Sequence, residues 1–158
     1  MRKRIITPTP SNIPTRSEGW LDVEGTSVVE VTSEDKDCPV EAVLDPEMGG
    51  VGVRQRRGSQ MIRLVFDQPQ RVRRISLVFE ENEIARTQEF VLRWSPDDGS
   101  SVKEEIVRQQ WNFSPPESMR EVEEYQVELS SVTMLELAIN PNIAGGAART
   151  SLKNFHLS

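Results

Sequence analysis

Apolar and polar positions alternate with a period of two along much of this chain. That is the mark of strands with one face on a core and one in water. The clearest stretch is residues 59–79, SQMIRLVFDQPQRVRRISLVF. Ile62, Leu64 and Phe66 alternate with Met61, Arg63 and Val65; then Ile75, Leu77 and Phe79 alternate with Arg74, Ser76 and Val78. Asp67-Gln68-Pro69-Gln70 separates the runs with turn chemistry, because proline presets its φ and cannot donate to a ladder. Locally this predicts strand, turn, strand. Similar alternation marks residues 87–95 (Phe90, Leu92 and Trp94 on one side), 121–129, 132–139 (Leu135, Leu137, Ile139) and 151–157 (Phe155, Leu157). Residues 102–111, VKEEIVRQQW, favour helix by composition. They lie at strand spacing between Pro96-Asp97-Asp98-Gly99 and the Pro115-Pro116 segment, and this spacing predicts a strand. Short β-prone runs at 19–23 and 27–32 flank Gly25, and residues 80–86 form a polar connection with room for one helical turn. The expected fold is all-β, an antiparallel β-sandwich or barrel of about eight to ten strands with little helix.

Composition narrows the function classes. The 158 residues are 36% hydrophobic and 28% charged, the balance of a globular domain. Pro8, Pro10 and Pro14 among Thr and Ser make residues 1–17 an extended arm, leaving 18–158 as one domain. The net charge of -6 argues against general nucleic-acid binding. With one cysteine, Cys38, no intramolecular disulfide forms; with one histidine as well, a Cys/His zinc site within the chain is excluded. Cys38 sits in a polar run and reads as a partly exposed thiol. Met1-Arg2-Lys3-Arg4 is followed by only Ile5-Ile6 before Thr7-Pro8-Thr9-Pro10, and no run approaches the length of a membrane span, so the expected location is cytoplasmic. Gly49-Gly50-Val51-Gly52 has neither the lysine nor the spacing of a phosphate loop.

Several segments in order resemble the discoidin, or coagulation-factor type C, domains of the galactose-binding-like superfamily. They are Ala42-Val43-Leu44-Asp45, residues 60–66 (QMIRLVF), Pro69 with Val72 and Ile75, Phe90-Val91-Leu92-Arg93-Trp94-Ser95 with Asp98-Gly99, and Ser151-Leu152-Lys153-Asn154-Phe155. The resemblance covers roughly residues 18–158. It implies a jelly roll of two packed antiparallel sheets, with ligands held by loops at one end. Members bind sugars, lipids, proteins or nucleic acids, so the fold does not choose among them. Sugar-binding members often carry a calcium loop after the aspartate matching Asp45. Here Pro46-Glu47-Met48 follows instead, which argues against calcium, and no metal or cofactor is expected. Secreted members often join their ends by a disulfide, which one cysteine does not allow. In such folds successive strands cross between sheets, which makes residues 67–70 a corner between sheets and not a hairpin turn.

The candidate ligand residues are Arg86, Gln88, Arg108, Gln110 and Trp111, in the regions 80–88 and 108–114. Arginine and glutamine offer planar hydrogen-bond forks and tryptophan a stacking face, which suits sugar or peptide recognition. The competing reading is structural: Trp111 at a sandwich corner, the Arg and Gln residues on solvated faces or paired with Glu80, Glu81 and Glu83. Trp94 reads as core, Trp20 as core or edge. Arg54, Arg56 and Arg57 with Arg71, Arg73 and Arg74 could form an anion-binding face, or simply guard strand edges. His156, between Phe155 and Leu157, reads as an exposed or edge residue. The expected function is a non-catalytic binding module for carbohydrate. The alternatives are a protein-interaction or assembly subunit using a sheet face, and a hydrolase using Glu80, Glu81 and Glu83.

Overall fold

The computed structural model describes residues 20–32, 40–45, 53–96, 103–145 and 148–158, with backbone alone at 53–57 and at Thr150. The elements in chain order are α1 (Val23–Thr26), β1 (Ser27–Val31), α2 (Glu41–Leu44), β2 (Val53–Arg57), β3 (Gln60–Glu80), β4 (Arg86–Pro96), β5 (Glu104–Phe113), β6 (Arg120–Asn140) and β7 (Arg149–Leu157). Every strand pairing among them is antiparallel. The strand order is β2-β7-β3-β6-β4-β5, with β1 added alongside β3.

β3 and β6 each serve both layers of a sandwich. The first half of β3 pairs with β1 (Val31↔Ile62 to Ser27↔Phe66) and with the second half of β6 (Gln60↔Ile139 to Val65↔Met134). The second half of β3 pairs with β7 (Phe79↔Leu152 to Ile75↔Leu157) and with the first half of β6 (Val72↔Leu129 to Glu80↔Arg120). The register between β3 and β6 slips three times between Val65 and Arg74. Opposite this slip, Ser131 of β6 takes a left-handed φ of 59°, a conformation that costs a non-glycine residue energy and marks an enforced bend. Residues 67–70 are therefore a corner between sheets, and no pairing joins residues near Leu64 to residues near Ile75. One layer is β1-β3-β6-β4-β5 and the other β2-β7-β3-β6.

The corner turns both apolar runs of residues 59–79 onto one core. Ile62, Leu64, Ile75, Leu77 and Phe79 are fully buried, with Phe90, Leu92, Leu135, Leu137 and Phe155. Phe79 and Phe90 touch across the layers, ring centroids 5.6 Å apart. The strand predicted for 102–111 is β5, and Trp94 packs partly buried against the core. The two strands predicted at 121–129 and 132–139 are one bent strand, β6.

Other expectations change. Residues 23–26 form a helical turn, which Asp22 caps by accepting from the Gly25 N–H at 3.1 Å. Residues 41–44 form a second turn that buries Ala42, Val43 and Leu44. Residues 81–85 have no helical turn, because the Glu81 carboxylate takes the Glu83 and Ile84 N–H groups at 3.0 and 3.1 Å. His156 is buried, not exposed. Trp20 packs against it, 5.4 Å between rings, Val43 and Asp45 of the α2 turn interact with it, and Arg74 lies over the Trp20 ring at 3.9 Å. Burial lowers the His156 pKa. Cys38, residues 46–52 and the side chains of Arg54, Arg56 and Arg57 lie outside the described residues, as does the arm at 1–17. No helix among the described residues is long and apolar enough to cross a membrane.

Truncating Leu64, at the shared centre of both layers, tests this packing. Leu64→Ala is expected to cost about 2–5 kcal/mol, whereas Val28→Ala, on the exposed side of β1, should stay within about 0.5 kcal/mol. Equal urea midpoints for the two variants would contradict the assignment of the core.

Candidate functional site

Four connections meet at one end of the sandwich: the β2–β3 turn at Gly58-Ser59, the β3–β4 connection at 81–85, the β5–β6 connection at 114–119 and the β6–β7 connection from Pro141 onward. Strand register forces this, since Gln60 lies opposite Ile139, Arg86 opposite Phe113 and Glu80 opposite Arg120. Backbone hydrogen bonds tie the loops together: Glu81 N–H to the Met119 carbonyl at 2.8 Å, Ile143 N–H to Thr87 at 2.9 Å, and Gly58 N–H to Ala148 at 3.2 Å. Gly58 and Gly145 have φ of 90° and 88°, the left-handed region where glycine turns without strain.

A pocket of about 250 Å³ opens there, lined by Gly58, Ser59, Asn140, Pro141, Asn142, Ile143, Gly145 and Ala148. The Asn140 carboxamide oxygen accepts from the Asn142 N–H at 3.2 Å, and the Asn142 oxygen accepts from the Ala144 N–H at 3.1 Å. These turns fix both side chains by their oxygens and leave their NH₂ groups as oriented donors. Ile84, Met119 and Ile143, from three of the loops, are exposed at 49%, 39% and 46%.

Arg86 fixes this end from below. It is buried, and its guanidinium lies over the Phe113 ring at 4.7 Å. Nε donates to Glu81 at 2.6 Å; Nη1 donates to the Pro141 carbonyl at 2.6 Å and to the Gln88 oxygen at 3.1 Å. One side chain thus holds two loops. Burial pushes the Glu81 carboxyl up, but Arg86 and the two backbone N–H groups outweigh it and hold the pKa below the usual value. Gln88 passes the chain on, donating to Glu121 at 3.1 Å in the facing layer. Glu121 lies opposite Phe79, on the core face, and is fully buried. Burial first, and then the adjacent Glu123 carboxylate, pushes its pKa up to about 9. Tyr125 donates to Glu123 at 3.0 Å, and its ring meets Phe90 edge-on. The same burial, with Glu123, raises the Tyr125 pKa.

The residues singled out in the sequence divide between two faces. Arg86, Gln88 and Trp111 point inward; Trp111 lies opposite Gln88 in the ladder and is half-buried against the core. Arg108 and Gln110 point outward, donating to the Glu89 carboxylate at 3.0 and 3.1 Å, with Arg108 also paired to Glu105 at 3.0 Å. Period-2 alternation along β5 separates 108 and 110 from 111. Arg71 pairs with Glu128, while Arg74 lies over Trp20, so these two do not act together. Sequence reading passed over Glu121, Asn140 and Asn142. The signal for Glu121 was a carboxylate on the strand face that also carries Tyr125, Val127 and Leu129. On the outer face it also passed over Glu136, where Arg63, Arg93 and Lys103 converge at 3.0, 3.5 and 2.8 Å. Burial would raise the Glu136 pKa, yet Lys103 and Arg63 outweigh it and hold it low.

No protein-family model matches the sequence, and no curated sequence matches it. Solved structures do. The family 32 carbohydrate-binding module of AlyQ, in complex with 4,5-unsaturated mannuronic acid, superposes with a TM-score of 0.57 at 14% identity, over 84% of this chain and 95% of that one. The family 32 module of NanJ from C. perfringens, in complex with galactose, gives 0.59 at 11% identity over 84% and 97%. The chain shares the fold of these modules. A Ruminococcus gnavus fucosidase in complex with fucose gives a TM-score of 0.65 at 9% identity, over 89% of this chain and 26% of that enzyme.

The buried network makes two tests available. Because the folded-state pKa of Glu121 is raised, the native protein keeps a proton that the unfolded chain releases above about pH 4.3. Unfolding then releases a proton, so this group's contribution falls as pH rises from there toward 9. The groups facing it are Glu123, Tyr125, Gln88 and Arg86. Glu121→Gln should match the wild type near pH 4 and gain on it steadily toward pH 9 in urea melts; a constant difference would refute the assignment. Arg86→Met, which strands Glu81 and frees Pro141, should cost about 3–5 kcal/mol, read as a lowered urea midpoint.

Proposed function

We propose that this protein is a non-catalytic carbohydrate-binding module that takes its ligand at the loop end. The observation that carries this is the pocket between Ser59 and residues 140–145, where Asn140 and Asn142 present oriented amide donors from a loop anchored by Arg86. Sugar hydroxyls are recognised by a few directional hydrogen bonds from pre-set groups, and a nearby apolar side chain meets the C–H face; Ile143 supplies that surface. The solved modules of this fold in complex with galactose and with 4,5-unsaturated mannuronic acid support the ligand class. In this reading Arg86 and Gln88 are positioning residues for the loops, and Arg108 and Gln110 lie on a separate outer face.

The loop carboxylates suit a binding role better than hydrolysis. Glu81 is committed to Arg86 and two backbone N–H groups and stays ionised, which makes it a poor general acid. Glu80 pairs with Lys153 at 3.6 Å. One observation favours a second reading, a protein partner at the same end: Ile84, Met119 and Ile143 are aliphatic, and aliphatic surface suits a protein contact better than a sugar ring.

Glycan-array binding followed by titration calorimetry separates the two. The expected result is binding to at least one glycan, weakened about tenfold by Asn142→Ala (about 1.4 kcal/mol) and unchanged by Arg108→Ala. No glycan signal from the wild type would overturn the carbohydrate reading. Concentration-dependent association abolished by Ile84→Asp would then favour the protein contact.

A further inference from the structure

The one histidine of the chain is buried where segments far apart in sequence meet. On β7, His156 stands opposite Ser76 of β3. The Trp20 ring packs against it at 5.4 Å, and the Val43 backbone of the α2 turn hydrogen-bonds to it. Its Nε2 is buried with no hydrogen-bond partner. The two covering segments are held differently. Val43 and Leu44 are fully buried members of the hydrophobic core, so the α2 turn is fixed by apolar packing. Trp20 lies outside that core; it is held by the Arg74 guanidinium, 3.9 Å from the indole centroid, and by its neighbour Leu21, whose N–H donates to the Leu157 carbonyl at 2.6 Å. Trp20 is therefore the part of the cover that can leave with the core intact.

A neutral imidazole leaves only a lone pair unmet at Nε2. A proton there would bury a positive charge and an N–H with no acceptor, which costs far more. The surrounding charges do not reverse this. Asp45 on α2 favours the proton, but burial outweighs it, and Arg74 of β3, over the Trp20 ring, is a second cation. Ser76, opposite on β3, is uncharged, and Glu124 stands one strand further, opposite Ser76. Water reaches Nε2 once Trp20 moves away. We propose that His156 is a pH-sensitive latch: neutral, it lets Trp20 close over β7; protonated, it releases Trp20 while the sandwich core stays folded. Above about pH 6.5, the ordinary histidine value, closed and open forms are both neutral and the latch is fully closed. Below it the open form takes a proton that the closed form refuses. The closed-to-open ratio then falls by up to about tenfold per pH unit, until the lowered pKa of the closed form is passed.

The test is NMR of the wild-type protein titrated from about pH 8 to about pH 5. The chain has one histidine, so its imidazole signal needs no assignment; Trp20→Phe identifies the Trp20 indole signal among the three tryptophans. The expected result is a midpoint below the ordinary histidine value, with the Trp20 indole signal moving in step and its cross-relaxation to the imidazole lost in acid, while the Phe79 and Phe90 ring signals keep their core shifts. In His156→Gln the Trp20 signal should not change over this range. Trp20→Ala, which uncovers the imidazole, should return the midpoint to about 6.5; this variant decides the matter if His156→Gln does not fold. Asp45→Asn should lower the midpoint further and leave the coupling in place. A Trp20 signal that stays constant while the imidazole titrates, or a midpoint that Trp20→Ala leaves unmoved, overturns the proposal.

Discussion

β3 and β6 hydrogen-bond to each other twice, once in each layer, and every other strand is placed by that double pairing. A strand that simply continued would give one long twisted ribbon with a single apolar face. Register slips between Val65 and Arg74, answered by the left-handed Ser131, rotate both strands at the same level. The ribbon folds over on itself, and Leu64 and Leu77, on one strand, come into the same core. β1, β4 and β5 add to the first half, β7 and β2 to the second. The four connections that finish these strands have to emerge together at one end, because the register of β3 against β6 puts Gln60, Glu80, Arg120 and Asn140 there.

The interior is not uniformly apolar. Toward the loop end the core-facing positions of β6 change from Leu129, Val127 and Tyr125 to Glu123 and Glu121, and those of β4 end in Gln88 and Arg86. Buried charges of this kind survive only where they are paired and hydrogen-bonded. The chain Glu81, Arg86, Gln88, Glu121 meets that condition over most of its atoms, and it joins the loop end to both layers. Such networks add little net stability compared with apolar packing, but they fix geometry. Arg86, held flat over Phe113, sets where Pro141 lies and hence where Asn140 and Asn142 present their amides.

On the outer face of the β1-β3-β6-β4-β5 layer, Glu136 gathers Arg63, Arg93 and Lys103 in a row that runs across the strands. Rows of opposite charge at matched register specify which strand lies beside which, and charged edges discourage further pairing. This face carries specificity of assembly within the chain, while the loop end carries Ile84, Met119 and Ile143 and the shaped pocket.

Period-2 alternation determined the strands and their inward sets directly: Ile62, Leu64 and Phe66, Ile75, Leu77 and Phe79, and Phe90 with Leu92 are core because their spacing matches the pleat. The spacing of the flanking turns, not alternation, indicated that β5 is a strand despite its helix-favouring residues. The order of degenerate segments was enough to suggest the jelly roll and the corner at 67–70. Alternation could not assign faces where polar residues fill both. Arg86, Gln88 and Trp111 look like Arg108 and Gln110 in composition, and only the ladder of β5 on β4 shows which of them turn inward. His156 likewise follows the alternation, yet is buried, because Trp20 and the α2 turn, both distant in the chain, pack against it. The pocket of Asn140 and Asn142 depends on loops far apart in the chain, and their meeting is fixed by the register of β3 and β6, a long-range property that no local spacing encodes.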